Sequence, residues 1–513
     1  MAAHASFYPR RRDDMPRRVI LTLVALAALI VVARLHTYDE PLERDITGAA
    51  VIGHELLAGR PLYTDMWDHK PPALHITHAA AILLAGYGPG AIYVLNVVAA
   101  ITSLLGVYAG ATVVGGRVAG LWGAAFWTFV SGDLWLQANQ PNTEVFINAC
   151  VVWAFALLLR TNRPSLLRMV VVGAFFAWGS LYKPVIVAPA ALLAGAHLAA
   201  PPWGHTRRRA LGDVGVIAAV GAAVWLGTFA YFAGAGRFAD FYGAVFVYNR
   251  FYSGSVLNNL RAGLVPQTLA PAILAIAIPL AVLTLAGGVR GAIAGPRRPW
   301  LHLLALVVGT ELAIALPGQF YPHYYQLWLP PLAIGAGWAI GSFAGVRPIP
   351  AWTPHAVGAA AVLILLSQQL PLYQVEAETW ARLKYGELFV SEDGLGRELG
   401  ALLTPGETFY EWGAETGLYF VSRRSPPSGA FYVFPLLNGP AAYPLAARAV
   451  ADLERRPPAM FVVNKGVMFG GKIRHPVLDW AAPRYVALAG TGDRGTFVLF
   501  VRRGSRLDVT LAK

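Results

Sequence analysis

The chain has 513 residues, of which 56% are hydrophobic and only 13% are charged, whereas a soluble globular protein carries about 25% charged residues. This composition excludes a disordered, fibrous or ordinary cytosolic protein and indicates a chain that folds largely in lipid. The net charge of +13 reflects arginines between the apolar runs rather than nucleic-acid binding, and the single cysteine, Cys150, excludes an intramolecular disulfide or a thiolate metal cluster.

The basic N-terminus leads directly into the first apolar stretch. No small-residue cleavage site follows that stretch, so we predict a retained first span rather than a cleaved signal peptide. Apolar stretches close to 20 residues, which is the length that crosses a bilayer core of about 30 Å, predict about eleven membrane spans. The predicted spans are 18–35, 90–113, 118–136, 143–160, 166–182, 184–200, 211–234, 267–287, 300–317, 326–345 and 354–372.

Arginines at alternate breaks between the spans predict the orientation. The groups are Arg10 to Arg18, Arg117, Arg160 to Arg168, Arg207 to Arg209, Arg290 to Arg298 and Arg347. Positive loops face the cytoplasm, so the tail 1–17 is predicted to be cytoplasmic and the loop 36–89, the first outer loop, extracytoplasmic. Within that loop, 73–86 is short for a span and is predicted to be an interfacial helix. We therefore predict a multi-pass membrane protein.

Beyond residue 372 the charges return and the apolar runs shorten. The segments 407–413, 418–424, 459–466 and 496–503 predict short strands, and 440–456 has helical spacing. This region contains no G-x-G-x-x-G or P-loop motif. The sequence therefore predicts an all-α polytopic membrane domain over 18–372 and a small extracytoplasmic α/β domain over 373–513.

The first outer loop concentrates ionisable residues in a chain that has few. They are Asp39, Glu40, Glu43, Asp45, Glu55, Asp65 and Asp68, followed by His69 and Lys70. Charges near a membrane surface are costly unless they are paired or functional, although a solvated loop is the simpler alternative. A helix is predicted from Asp45 to a break at 59–61, and the proline pair after Lys70 stiffens the next segment. The pattern predicts that a carboxylate and an ammonium are held on one rigid segment.

Two short motifs stand out in this loop, ERD at 43–45 and WDHKPP at 67–72. They resemble the acidic motif and the downstream Asp-x-Lys-Pro-Pro element of bacterial glycosyltransferases of the GT-C superfamily. The resemblance is to the branch related to protein O-mannosyltransferases and the lipid A aminoarabinose transferase, and it covers 18–372. It implies an inverting transfer of a sugar from a polyprenyl-phosphate carrier to a lipid, glycan or protein acceptor on the outer face of the membrane.

The resemblance also assigns roles to the loop residues. Asp45 matches the family's catalytic acidic residue and would be the general base, since an acceptor hydroxyl must lose its proton as it attacks the anomeric carbon. Asp39 and Glu40 also look like the family's Asp-Glu pair and are the second choice for this role. The departing phosphate needs cations nearby, and Lys70, with His69 beside it, is the first candidate. The supporting acidic residues of the loop would be Asp39, Glu40, Glu43, Asp65 and Asp68.

Two charged residues deeper in the chain have two interpretations each. Glu144 occupies the place of a second acidic residue in the family, with Asn142 as its neighbour, or it only starts a helix that Asn142 and Thr143 cap. Lys183 interrupts two apolar runs, where it would bind the carrier phosphate or only extend its ammonium to the interface.

Three further segments supply candidate contacts. His323 and Tyr324 lie in a Pro-His-Tyr element that resembles a recurrent one in this branch, which favours carrier contact over an aromatic belt. Arg250, in the loop 235–266, would meet phosphate or lie on a plain surface loop. In the tail, Glu411 would approach the acceptor, although burial of the adjacent Trp412 in a small domain is the simpler explanation.

The sequence leaves metal use open. No metal site is predicted, yet Asp45 and Glu144 would be the residues to share a divalent cation, Mg²⁺ or Mn²⁺. Two other functions also stay open. One is a transporter or flippase of lipid-linked sugars, which would need charges in mid-membrane; the other is a non-catalytic scaffold that binds the carrier lipid.

Overall fold

The computed structural model describes residues 15–160, 165–264, 271–344, 346, 348–468, 474–488 and 492–511. Arg347 and the predicted arginines before residue 15 lie outside these ranges. Six described helices are long and apolar enough to cross a bilayer, and four more apolar helices are shorter. Together they make the chain a multi-pass membrane protein, as predicted.

The helices of the bundle coincide with the predicted spans. They are α1 (Arg17–Ala33), α4 (Pro89–Val130), α5 (Thr143–Leu159), α6 (Leu166–Ser180), α7 (Val187–Ala199), α8 (Arg207–Gly234), α12 (Pro271–Ala294), α13 (Arg297–Ala315), α14 (Leu329–Phe343) and α15 (Trp352–Gln369). Between them lie α2 (Arg44–Leu57), α3 (Ala73–Ala85), α9 (Phe238–Tyr242), α10 (Asn249–Ser253) and α11 (Val256–Gly263). Helix α3 covers the segment predicted to be an interfacial helix.

Helix α4 is a helical hairpin that supplies two of the predicted spans. Gly116 interrupts it with φ +81° and ψ −178°, a backbone conformation that glycine adopts at little cost. The indole Nε1 of Trp127 donates to the Ala100 carbonyl at 2.9 Å, which a straight helix could not allow because 27 residues would separate the two by about 40 Å. The chain therefore turns back at Gly116.

One end of the bundle is rich in arginine. Arg298, near the start of α13, donates to the Leu158 carbonyl at 2.9 Å and to the Ala200 carbonyl at 2.7 Å. These bonds join the start of α13 to the C-terminal ends of α5 and α7. Arg160 follows α5, and Arg207 begins α8. We call this the arginine end.

The opposite end gathers the loops that carry the candidate residues. The buried Arg34 donates to the Ser131 carbonyl at 2.8 Å, which joins the end of α1 to the end of α4. The Ala73 amide donates to the Leu181 carbonyl at 3.2 Å, which joins the start of α3 to the end of α6. The first outer loop, which carries Asp45, Asp68 and Lys70, therefore lies at the same end of the bundle as the start of α5. We call this end the site end.

The C-terminal region forms a small α/β domain, which we call the tail domain. Its strands are β1 (Phe409–Trp412), β2 (Met460–Asn464), β3 (Tyr485–Ala487), β4 (Asp493–Arg494) and β5 (Phe497–Arg502), in the order β1-β2-β5-β3 with β4 also paired to β5. Its helices are α16 (Ala377–Tyr385), α17 (Leu388–Leu402), α18 (Gly417–Ser422), α19 (Phe434–Leu437), α20 (Ala442–Arg455), α21 (Pro476–Ala481) and α22 (Arg506–Leu511). Among these five described strands, the β1–β2 pairing is parallel and the other pairings are antiparallel.

One predicted strand is wrong. The segment 418–424 contains the helix α18 rather than a strand, because a short apolar run cannot be assigned by periodicity alone. Glu392 Oε1 accepts a hydrogen bond from the Leu418 amide at the start of the helix, and Arg423, with φ +56°, ends it in the left-handed conformation. The other three predicted strands contain β1, β2 and β5, and the predicted helix over 440–456 contains α20.

The tail domain and the first outer loop share one apolar core. Ile46, Tyr63 and Trp67 of the loop belong to the same buried cluster as Trp412 and Tyr419 of the tail domain. Burial of aromatic side chains is among the largest favourable contributions to such a core. The loop is thus packed between the bundle and the tail domain instead of lying free in solvent.

Candidate active site

Asp45 and Lys70 form an ion pair at the site end. Asp45 lies in the first turn of α2, and its Oδ1 is 3.0 Å from Lys70 Nζ. The Tyr63 hydroxyl donates to the Lys70 carbonyl at 2.9 Å, which fixes the backbone of the lysine. Tyr63 itself has φ +69°, an unusual conformation for a bulky residue that its complete burial maintains. The structure therefore brings together the two residues on which the sequence hypothesis depends.

The electrostatics of the pair favour the charged forms of both groups. The partly buried position of Asp45 raises the pKa of its carboxyl, but the Lys70 ammonium outweighs this effect and holds that pKa below its usual value. Burial lowers the pKa of Lys70, but Asp45 and Asp68 outweigh it and raise that pKa above its usual value. Burial, together with the Asp45 charge, raises the pKa of Glu43 to about 8. Near neutral pH, Asp45 is thus the ionised carboxylate of the 43–45 motif.

A second carboxylate–lysine pair lies at the same end. Glu144, in the first turn of α5, accepts from Lys183 Nζ through Oε1 at 3.0 Å. The Lys183 ammonium also lies 3.4 Å from the centre of the Tyr324 ring, close enough for a cation–π contact. Asn142 occupies the N-cap position of α5, but its side chain donates to the Gln137 carbonyl instead of capping the helix. Of the two interpretations, the helix start is therefore present without the side-chain cap.

The charges of both carboxylate–lysine pairs act on His323. Burial lowers the pKa of this imidazole, whereas the Glu144 and Asp45 carboxylates raise it and the two lysines lower it. Its Nδ1 is 3.1 Å from Gln137 Oε1, and its ring packs edge-on against Tyr324 at 4.9 Å. The two pairs, His323 and Tyr324 therefore form one cluster of charged and aromatic groups.

Asp68 organises the segment before Lys70. Its carboxylate accepts from the His69 amide at 2.7 Å and from the Tyr432 hydroxyl at 3.2 Å, and its Oδ2 lies 3.1 Å from His75 Nε2. The His69 ring lies beside Tyr252, with ring centres 5.3 Å apart. Asp68 is buried, so its contacts indicate a structural role. The Nδ1 of His69 lies 3.2 Å from Asp68 Oδ1.

The remaining predicted residues have other partners. Glu40 is buried in an ion pair with Lys384 of α16 at 3.0 Å, and Asp39 is exposed. Asp65 pairs with Arg60 at 2.9 Å. Arg250 is exposed and donates to the Gly254 carbonyl at 2.6 Å.

The tail residues flagged in the sequence lie away from the surface. Glu411 and Trp412 are both buried, and Trp412 packs against His475 with ring centres 4.6 Å apart. This geometry favours the interpretation of Trp412 as a core residue. Tyr432 and Thr416, which contact the first outer loop, were not singled out from the sequence. Their separation from the loop by more than 300 positions leaves no local pattern that would reveal the contact.

The two carboxylates named for a divalent cation each have a cationic partner already. Among the residues that the structure describes, no three His, Cys, Asp or Glu side chains are grouped so that they could hold a metal ion. Asp45 and Glu144 are each paired with a lysine ammonium, so the cluster already contains as much positive as negative charge from these four groups.

The chain matches solved structures but no sequence family. No protein-family model matches it, and no curated protein matches it in sequence. The structure of ArnT from Cupriavidus metallidurans bound to undecaprenyl phosphate is similar over 96% of this chain and 99% of that chain, with a TM-score of 0.59 and 16% identity.

Two further solved structures are similar in fold over most of this chain. Archaeal oligosaccharyltransferase AglB from Archaeoglobus fulgidus, in complex with an inhibitory peptide and a dolichol-phosphate, is similar over 96% of this chain and 75% of that one, with a TM-score of 0.53 and 16% identity. Arabinofuranosyltransferase AftD from Mycobacteria is similar over 95% of this chain and 40% of that one, with a TM-score of 0.52 and 13% identity. Identities this low establish the fold alone, and that fold is the predicted GT-C fold with a C-terminal α/β domain.

Proposed function

We propose that the protein is an inverting membrane glycosyltransferase that moves a sugar from a polyprenyl-phosphate donor to a lipid, glycan or protein acceptor. The observation that carries the proposal is the 3.0 Å pair of Asp45 and Lys70 in one cluster with Glu144 and Lys183. Two structures with this fold hold a polyprenyl phosphate, undecaprenyl phosphate in ArnT and dolichol-phosphate in AglB. That chemistry suits a cluster of lysines beside the membrane.

Asp45 would act as the general base. The acceptor oxygen attacks the anomeric carbon, its proton passes to the Asp45 carboxylate, and the bond from that carbon to the phosphate oxygen breaks. The side chain of Asp45 is 43% exposed, so an acceptor can reach it. Glu40, the reserve candidate, is committed to Lys384 inside the protein, which supports Asp45 as the first choice.

Lys70 would hold the leaving phosphate. In the described structure its ammonium rests on Asp45 and lowers the basicity of that carboxylate. The donor is a phosphodiester with a single negative charge, and a phosphate that draws the ammonium toward itself would raise the pKa of Asp45 and so make it a better proton acceptor. Donor binding would thereby prepare the base. Lys183 and His323 supply further positive or hydrogen-bonding groups within the same cluster.

The proposed orientation follows the arginines. We place the arginine end in the cytoplasm of a bacterial cell and the site end with the tail domain outside, in accordance with the positive-inside rule. Clustering of charges at one end, rather than along a mid-membrane path, favours transfer over transport.

The test measures release of carrier phosphate. Purified protein in liposomes is given a panel of synthetic polyprenyl-phosphate hexoses and pentoses together with total envelope lipid, and polyprenyl phosphate is quantified by mass spectrometry. We expect release by the wild type and about 10³-fold slower release by Asp45→Asn, whereas Asp479→Asn, the same change at an exposed site in the tail domain, releases carrier like the wild type. Equal release by Asp45→Asn and the wild type would remove Asp45 from the mechanism.

A further inference from the structure

We infer, on the basis of the proposed function, that the tail domain is the positioning element of the active site: its residues Thr416 and Gly429 hold Asp45 and Lys70 in register. The tail domain has contacts with both sides of the pair. One contact group lies at the start of α2, which carries Asp45, and the other lies on the segment that leads to Lys70.

The first contact is a pair of buried hydroxyls. Thr416 Oγ1 donates to the Arg44 carbonyl at 2.8 Å and lies 2.7 Å from Thr47 Oγ1. Thr416 and Thr47 are 3% and 1% exposed, so water does not compete for these bonds. The carbonyl of Arg44 belongs to the residue directly before Asp45. The hydroxyl of Thr416 thus fixes the first turn of α2, which sets the direction of the Asp45 side chain.

The second contact is the side chain of Arg44. Its Nη2 lies 3.5 Å from Glu415 Oε1, and its guanidinium lies 5.6 Å from the ring centres of both Phe389 and Phe434. Glu415 is oriented in turn by Asn464, at the end of β2, whose Nδ2 donates to Oε2 at 2.7 Å. The position of α2 is therefore tied to the sheet of the tail domain.

The third contact fixes the segment before Lys70. The Trp67 amide donates to the Gly429 carbonyl at 3.1 Å, and a Cβ atom at Gly429 would lie 1.4 Å from the Asp65 carbonyl oxygen. Only glycine allows this approach. Arg448 donates to the carbonyls of Asp65 and, at 3.3 Å, Tyr63, so the turn that presents Lys70 is held from the tail side.

A small displacement of either side would disturb the chemistry. Reacting groups that are misplaced by about 1 Å can lose about a hundredfold in rate, because productive attack requires a near-ideal approach. The tail domain reaches the start of α2 and the turn before Lys70 through separate residues. It thus acts on the reaction through geometry and does not need to touch the substrate.

The experiment compares Thr416→Val with the conservative Thr416→Ser, both in full-length protein in liposomes. Valine removes the hydroxyl and keeps the shape, whereas serine keeps the hydroxyl. In the release assay we expect kcat to fall about tenfold with valine, as for loss of about one buried hydrogen bond, with the KM for the donor within about twofold. Serine should restore kcat. Glu415→Gln, which weakens the hold on Arg44, is the second variant and should lower kcat in the same way.

A measurement without activity separates this inference from the proposed function. Lys70 is labelled with an acylating reagent and quantified by peptide mass spectrometry. Pairing with Asp45 keeps the amine protonated, so a loosened pair should acylate about threefold faster or more, since one pKa unit corresponds to tenfold in free amine. We expect faster labelling in Thr416→Val and Glu415→Gln than in the wild type and Thr416→Ser. Unchanged labelling in both overturns the inference even if carrier release is confirmed, and a wild type without release overturns only the proposed function.

Discussion

The two carboxylate–lysine pairs at the site end have the same chemistry but differ in exposure. In both, a lysine ammonium lies 3.0 Å from a carboxylate oxygen, and the lysines are 19% and 21% exposed. The carboxylates differ, because Asp45 is 43% exposed and Glu144 only 2%. An exposed carboxylate can meet an acceptor hydroxyl, whereas a buried one can only orient and neutralise its lysine. The pairs therefore point to different roles, transfer of a proton at Asp45 and support of a cation at Glu144.

Isosteric neutralisation of the two carboxylates gives the largest contrast. We expect Asp45→Asn to lower the turnover number about 10³-fold, in the range typical of lost general-base catalysis, and Glu144→Gln to lower it only about tenfold, mainly by weakening Lys183 as a phosphate contact. Steady-state release of polyprenyl phosphate by both variants checks this. Equal losses would show that the difference in exposure does not separate the roles.

Removal of Lys70 should change both the rate and its pH dependence. Loss of one electrostatic contact to the leaving group predicts a drop of about a hundredfold for Lys70→Gln. The lysine holds the pKa of Asp45 below its usual value, so without it that pKa rises, and the base becomes protonated at higher pH. We expect the acidic limb of the kcat/KM profile to move upward by roughly one to three pH units. If the acidic limb of the profile does not move, the pKa that sets it does not belong to Asp45.

Removal of Lys183 should affect stability more than removal of Lys70 does. Lys183→Gln leaves the buried Glu144 carboxylate without its ion pair, which we expect to cost about 3 kcal/mol, whereas Asp45 without Lys70 stays hydrated and should cost less than about 1 kcal/mol. Unfolding of detergent-solubilised protein measures both. The double variant Lys183→Gln with Glu144→Gln should regain most of the loss, and failure to do so would place the cost elsewhere.

The sequence predicted those features that depend on neighbouring residues in the chain. Hydropathy placed the spans, including the two halves of α4, and the motifs at 43–45 and 67–72 pointed to Asp45 and Lys70. The strand predicted over 418–424 failed because α18 depends on a cap from Glu392, a residue of another helix. Thr416 and Gln137 were missed for the same reason, since their contacts with Thr47 and His323 arise only when distant segments pack together.

The smallest expected effect concerns a divalent cation. If Mg²⁺ or Mn²⁺ bridged Asp45 and Glu144, the two pairs would act as one metal site and chelation would abolish the reaction. Because each carboxylate already has an ammonium partner, we expect carrier release in EDTA to equal release in Mg²⁺ or Mn²⁺ within about twofold, a difference of less than about 0.5 kcal/mol. If release is lost in EDTA and restored by added cation, Asp45 and Glu144 both serve as metal ligands. The separate roles proposed for them would then be wrong.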